Sequence, residues 1–238
     1  MERTISGYFI LIDIKNSVDK KKVDQFQWVQ GVDQWIKSFQ KVIYNLTADN
    51  NNLVLRNFKF LGDSVMAFLQ CPDRHPDQKT SKKILEKTYN FSTHTKVQSS
   101  IENSNLWRTV ICYLHEVVQF EIKGFSSDLG GTQTELIGPE MDMAFRLQKF
   151  ADTSHIVVNN YFFKSVAREL ASLKLDPILC HKMIKGWNGS GEEIYALTNV
   201  QMIEKTINNN VANPNFMDIN VELFQYYVDK MSSALSVG

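Results

Sequence analysis

The sequence predicts an α+β fold in which helices cover one face of an antiparallel-rich sheet. Strand-like and helix-like runs intermix along the 238 residues without strict alternation, which favours this class over a parallel α/β fold. Hydrophobic residues make up 43% of the chain, enough for a sizeable core. The predicted order is strand, helix, strand, strand, helix, strand, helix, strand, helix, strand, strand.

The first half of the chain carries the clearest element signals. Residues 8–12 are a continuous apolar run, typical of a central strand buried on both faces, and Asp13 closes it. Residues 23–46 place apolar side chains at helical spacing. Residues 57–68 read NFKFLGDSVMAF, two strand-like runs that meet at a Gly-Asp turn. We therefore predict a β-hairpin with a carboxylate at its tip.

The remaining elements are predicted from periodicity and turn signals. They are a loop at 70–78, a helix in the first part of 79–101, a strand at 109–122, a loop at 124–134, a helix at 137–151 that begins with Gly-Pro-Glu, a strand at 155–158, a helix at 161–173, and a hairpin of strands 179–187 and 192–197. An Asn-rich linker and an amphipathic helix at 218–235 follow. We expect one main domain over residues 1–200 and an appendage, the linker and helix, over 201–238.

Charge and composition limit the partners. Lys plus Arg and Asp plus Glu number 26 each, so no basic field for nucleic acid is expected. The three cysteines are widely spaced without a CxxC pair, which favours a reducing compartment over a zinc site. The N-terminal apolar run is too short for a signal peptide, and no window reaches the ~20 apolar residues of a membrane span. We expect a soluble, cytoplasmic protein with no nucleic-acid or membrane partner.

Two carboxylates, Asp13 and Asp63, are the first candidates for a functional site. Each has an ordinary structural interpretation, since Asp commonly caps a strand end or occupies a turn. If the hairpin pairs beside the first strand, both carboxylates converge on one edge of the sheet. Two carboxylates with open positions suit Mg²⁺ or Mn²⁺, which keep water ligands and bind substrate phosphates.

Asp142 and Arg146 stand four residues apart on the third predicted helix. One interpretation is an exposed ion pair that contributes at most ~0.5 kcal/mol. The other is that Arg146 reaches a phosphate while Asp142 orients it or a ribose hydroxyl.

Five segments, in order and at sensible spacings over about residues 7–198, resemble the motifs of class III nucleotide cyclases. FILIDIKNSV resembles the first metal motif, and KFLGDSVMAF resembles the second. ELIGPEMDMAFRL is similar to the D-x-x-G-x-x-x-N-x-A-x-R segment of the family. IVVN and the pair IKGW and GEEIYAL resemble the strand and terminal motifs that follow.

The resemblance implies a palm-like, ferredoxin-like sandwich that forms a head-to-tail homodimer with its sites at the interface. By position, Asp13 and Asp63, helped by the carbonyl of Ile14, would bind two divalent ions per site, Mg²⁺ or Mn²⁺. Lys59 and Glu135 would read the base of a nucleoside triphosphate.

Three further positions carry over from the same resemblance. Asp142 would orient the ribose, Arg146 would stabilise charge developing on the phosphates, and Lys185 would hold the terminal phosphates. The implied reaction is in-line attack of the ribose 3′-oxygen on the α-phosphorus, expelling pyrophosphate to give a 3′,5′-cyclic mononucleotide.

Asp142 departs from the family, which has Asn at this position. An ionised Asp accepts hydrogen bonds but donates none. The D-x-A-x-R version resembles the stand-alone pyrimidine cyclases of bacterial antiphage signalling, which make cyclic UMP or cyclic CMP. Lys59 with Glu135 would serve adenine as well as cytosine or uracil. We therefore expect a cyclic pyrimidine product, with an adenylate cyclase or a degenerate, nucleotide-binding cyclase-like dimer as alternatives.

Overall fold

The computed structural model describes residues 3–14, 25–94, 107–123, 132–151, 155–180 and 193–199, which form one eight-stranded sheet and the helices packed on it. The strands are β1 (Arg3–Ile14), β2 (Val54–Leu61), β3 (Ser64–Gln70), β4 (Trp107–Lys123), β5 (Thr132–Ile137), β6 (His155–Asn159), β7 (Asp176–Cys180) and β8 (Ile194–Thr198). The helices are α1 (Gln25–Ala48), α2 (Gln78–His94), α3 (Pro139–Leu147) and α4 (Asn160–Val166). The predicted α+β class is confirmed.

β1 is the centre of the sheet. The strand order is β2-β3-β1-β4-β6-β8-β7, and β5 pairs with β4 off this path. β1 runs antiparallel to both of its neighbours, β3 and β4. β6 is parallel to β4, and the other pairs are antiparallel. This central position explains the continuous apolar run of β1, because neither face of the strand meets solvent.

The β2–β3 hairpin forms where the Gly-Asp turn predicts it. Leu61 pairs with Ser64, so the turn consists of Gly62 and Asp63 alone. Gly62 has a φ of 74°, a left-handed conformation that residues with a Cβ rarely adopt. Local turn chemistry therefore fixes the register of this hairpin.

Side chains of the sheet divide between two cores. Tyr8, Ile10 and Ile12 pack with α1, α2 and α4 on one face. Phe9 and Leu11 pack with α3 on the other. The helices thus lie on both faces of the sheet, so the prediction that they cover only one face was wrong. A strand that is apolar on both sides needs cover on both sides, and the buried face of α3 supplies the second layer.

β5 was not predicted, because residues 124–134 were interpreted as a loop. Leu136 is the one fully buried side chain among those described on this strand, so no alternating apolar pattern marks it. Its backbone is held by antiparallel pairing with β4, from Val118↔Ile137 onward. A strand stabilised mainly by its partner leaves little signal in its own sequence.

Other boundaries shift from the predictions. The helix predicted at 137–151 begins at Pro139, and the one predicted at 161–173 becomes a 3₁₀ helix after Val166. β7 begins at Asp176 rather than at 179, and it contains Pro177, which an edge strand tolerates. Most of the strand predicted at 179–187, the tip of its hairpin and the helix predicted at 218–235 lie outside the described residues. In the described part of the chain, no helix is both long and apolar enough to cross a membrane.

Candidate active site

The end of β1 meets the tip of the hairpin. The backbone N–H of Ile14 donates to the carbonyl oxygen of Asp63 at 3.0 Å. Asp13 is the cross-strand partner of Ser64, the residue directly after Asp63. The structure therefore brings Asp13 and Asp63 to the same edge of the sheet, as the sequence predicts.

Asp13 is buried, with 5% of its surface exposed. Ser64 Oγ donates to its Oδ1 at 2.6 Å. Burial raises the pKa of Asp13, and the nearby charge of Asp63 adds to this. Hydrogen bonds from Ser64 and Gln148 oppose the rise but do not cancel it. A buried carboxylate beside a second one has an unfavourable free energy when ionised, which a bound cation would relieve.

Arg108 is a further cation at this site, and the sequence analysis did not identify it. It is the cross-strand partner of Asp13 on β4, and its Nη1 lies 3.8 Å from Asp13 Oδ2. One third of the Arg108 side chain remains exposed. The guanidinium is therefore close to the buried carboxylate and still partly in contact with solvent. No signal in the sequence gives the pairing of β1 with β4 that places it there.

Lys59 and Glu135 form an ion pair. The Nζ of Lys59 donates to both carboxylate oxygens of Glu135. The two side chains come from β2 and β5, which also meet through a hydrogen bond of 3.0 Å from Asn57 Nδ2 to the carbonyl oxygen of Thr134. The pair is about one fifth to one quarter exposed, at 24% for Lys59 and 20% for Glu135. The predicted base-reading residues are thus adjacent within one chain.

Asp142 and Arg146 both lie exposed on α3, one helical turn apart. The first helical residue is Pro139, as expected from the sequence. Lys185, the predicted phosphate ligand, lies outside the described residues.

The carboxylates suit a hard divalent ion. Among the described residues, no group of three or more His, Cys, Asp or Glu side chains is placed to hold a metal. A metal at this edge would therefore depend on Asp13, Asp63 and backbone oxygens, with water and phosphate completing its shell. This donor set fits Mg²⁺ or Mn²⁺, which are commonly bound by one or two carboxylates plus substrate phosphates.

No family model and no curated protein matches the sequence. Solved structures do match the fold. The adenylyl cyclase CyaB from P. aeruginosa is 14% identical, with a TM-score of 0.65 over 84% of this chain and 96% of that one. The guanylate cyclase domain of RhGC from Catenaria anguillulae, solved with GTP, is 13% identical, with a TM-score of 0.61 over 84% and 98%. A dimeric guanylyl cyclase domain of RhoGC from Blastocladiella emersonii is 14% identical, with a TM-score of 0.59 over 83% and 97%.

The chain has the fold of adenylyl and guanylyl cyclase catalytic domains. On this fold, the sequence motifs fall on separate elements, and the first two meet where the end of β1 contacts the β2–β3 turn. FILIDI ends β1, LGD forms the β2–β3 turn, and GPEMDMAFR begins α3.

Proposed function

We propose that the protein is a nucleotide cyclase that converts a nucleoside triphosphate to a 3′,5′-cyclic mononucleotide and pyrophosphate. The observation that carries the proposal is the meeting of Asp13 and Asp63 at the end of β1, fixed by the Ile14–Asp63 backbone hydrogen bond. The cyclase fold supports the same reaction class.

Asp13 and Asp63, with the carbonyl of Ile14, would hold two divalent ions. Bound there, such ions would lower the pKa of the ribose 3′-hydroxyl and neutralise the triphosphate. Ser64 orients Asp13 by donating to Oδ1, which leaves Oδ2 directed at Arg108 and the open side of the site.

Three cationic side chains would bind the phosphates. Arg108 is next to Asp13 and partly exposed, so we assign it to the triphosphate beside the ions. Arg146 is exposed on α3 and would stabilise negative charge that builds up in the transition state. Lys185 would hold the terminal phosphates, as the resemblance of its sequence motif implies.

A homodimer would complete each site. Phe60, Leu61 and Ile137 flank the Lys59–Glu135 pair and are 48%, 42% and 53% exposed. Exposed apolar residues grouped around a polar pair are typical of a surface that another chain covers. In the proposed head-to-tail dimer, one chain supplies Asp13 and Asp63, and its partner supplies the base-reading pair and α3.

The favoured substrate is a pyrimidine nucleoside triphosphate, giving cyclic UMP or cyclic CMP as a second messenger, with antiphage defence as its setting. Asp142 supports this choice, because it gives the D-x-A-x-R segment that resembles the pyrimidine cyclases in place of the Asn of the family motif. The Lys59–Glu135 pair presents one donor and one acceptor group, which also suit adenine, so adenylate cyclase is the competing assignment.

A four-substrate assay tests both levels of the proposal. The purified full chain is incubated with ATP, GTP, CTP or UTP in the presence of Mn²⁺, and products are identified by chromatography and mass spectrometry. We expect cyclic UMP or cyclic CMP and pyrophosphate. Cyclic AMP as the main product would refute the pyrimidine assignment, and the absence of every cyclic nucleotide would refute the cyclase assignment.

Two variants show whether the site itself is responsible. Asp63→Ala should abolish product formation, because it removes one of the two ion-binding carboxylates. Asp33→Ala is the matched control, since Asp33 is exposed on α1 and pairs with Lys37 in a surface contact. Equal activity of both variants would contradict the assignment of the ion site.

A further inference from the structure

Among the residues that the structure describes, no strand pairs with one edge of β4 over part of its length. β6 pairs with β4 at residues 109–111, and β5 pairs with it from residue 118 onward. Between these stretches, two side chains form hydrogen bonds with the β4 backbone at positions where a neighbouring strand would otherwise form them. Asn159 accepts from the N–H of Tyr113 at 3.1 Å and donates to its carbonyl at 2.8 Å.

Glu140 accepts hydrogen bonds from the backbone of the rest of this unpaired stretch. Its Oε2 accepts from the N–H of His115 at 2.5 Å and from the N–H of Glu116 at 3.3 Å. These two residues form a β-bulge, because the register of β4 against β1 gains one residue between Ile5↔Val117 and Gly7↔Leu114. A single carboxylate oxygen thus binds both backbone donors of the bulge.

The start of α3 is pressed against the same bulge. Gly138 precedes the helix with a φ of 146°, and a Cβ at this position would lie 3.0 Å from the carbonyl oxygen of Glu116. Glu140 is the second residue of the helix. Both contacts therefore fix the start of α3 to β4, whose opposite edge pairs with β1, the strand that carries Asp13.

We propose that Glu140 is a positioning residue for the cyclase reaction, an inference that rests on the proposed function. Its carboxylate binds the β4 bulge and so fixes the direction in which α3 carries Asp142 and Arg146. Arg146 is six residues further along the helix, about 9 Å at 1.5 Å per residue. A tilt of about 10° at Glu140 would move Arg146 by about 1.5 Å over that length. Displacements of this size at a reacting centre are associated with ~100-fold losses of rate.

Two conservative variants separate the effect of the length of the Glu140 side chain from the effect of its charge. Glu140→Gln removes the charge but keeps an oxygen at the same distance, and one oxygen accepts both hydrogen bonds. Glu140→Asp keeps the charge at the N-terminus of α3 but shortens the side chain. If Glu140 acts by reaching the bulge, Asp should lower kcat about 100-fold with KM changed less than about threefold, and Gln should stay within about threefold of wild type. Lys149→Ala, at an exposed position just after α3, is the control and should behave as wild type.

The opposite ranking, an active Asp variant and an inactive Gln variant, would overturn the inference, because it would assign Glu140 to helix-dipole stabilisation. Equal activity of all variants would overturn it as well. Backbone hydrogen exchange gives a readout that does not depend on activity. In Glu140→Asp, the amides of His115 and Glu116 should exchange faster, while that of Tyr113, held by Asn159, should stay protected.

Unchanged exchange at His115 and Glu116 would refute the contact itself, whatever reaction the wild type catalyses. Faster exchange together with a wild type that forms no cyclic nucleotide would refute the proposed function and, with it, the role of Glu140 in positioning α3 for that reaction.

Discussion

Replacing Lys59 and Glu135, singly and together, measures the coupling free energy of this ion pair, the proposed base-reading pair, in the absence of nucleotide. Lys59→Met keeps most of the apolar stem, and Glu135→Gln keeps the shape of the carboxylate. A fully exposed ion pair contributes about 0.2–1 kcal/mol, and removing one partner of a buried pair costs about 3–5 kcal/mol. Since 24% and 20% of these side chains are exposed, we expect a coupling free energy of about 1.5 kcal/mol.

Urea unfolding of the wild type, the two single variants and the double variant gives this coupling as a double-mutant cycle. With a slope of about 3 kcal/mol per molar urea, 1.5 kcal/mol corresponds to about 0.5 M in the midpoint. A cycle on Lys37 and Asp33 is the control, because this exposed i,i+4 pair should couple by no more than about 0.5 kcal/mol.

A coupling of Lys59 with Glu135 below about 0.3 kcal/mol, the usual error of additivity, would refute the reasoning. The result also bears on binding. Because each side chain satisfies the other in the structure, a base that hydrogen-bonds to both must first separate them. Under the proposed function, the coupling free energy is therefore a cost that a bound base would have to offset.

Three further predictions concern Asp13 and the core. Ser64→Ala removes the hydrogen bond to Asp13 Oδ1, so it should lower the free energy of unfolding by about 2 kcal/mol and raise the pKa of Asp13 further. Urea unfolding measures the first effect and carboxyl NMR the second, and an unchanged pKa would contradict the prediction. The pKa of Asp13 is raised in the folded state, so its stabilising contribution is present at low pH and is lost as pH rises through that pKa. Without divalent ions, Asp13→Asn should therefore gain stability relative to wild type as the pH rises from about 4 towards the raised pKa of Asp13, and a constant difference would be the contrary result. Trp107→Ala removes the ring stacked on Trp35 at 4.9 Å and should cost about 3–5 kcal/mol in urea unfolding; a loss under about 1 kcal/mol would count against this packing.

Short-range signals in the sequence predicted what depends on neighbouring residues. The Gly62-Asp63 turn fixes its hairpin through the positive φ of glycine, and the apolar run before Asp13 specifies a central strand. Once the hairpin pairs beside that strand, the meeting of Asp13 with Asp63 follows from register alone. A shared base-reading role for Lys59 and Glu135 was expected only from the resemblance to known cyclases, and their ion pair was not predicted.

The unpredicted features depend on contacts between distant segments. Arg108 reaches Asp13 only because β4 pairs with β1 in a particular register. Glu140 has the sequence context of an ordinary acid in a first helical turn, and its bond to the β4 bulge depends on a gap between two other strands. The position of α3 on the second face of the sheet likewise depends on which distant strands pair with one another. Periodicity within one segment carries no information about which other segment it meets.

The proposed site is shared between two chains, and mixing two inactive variants tests this central claim most directly. Asp63→Ala lacks an ion-binding carboxylate, and Arg146→Ala lacks the cation on α3. Random exchange of subunits would make about half of the dimers mixed, each with one intact site of two, so about a quarter of wild-type activity should return. Recovery of cyclic nucleotide synthesis at this level is the predicted result. If the two variants exchange subunits, as shown by native mass spectrometry, and no activity returns, the shared site is contradicted.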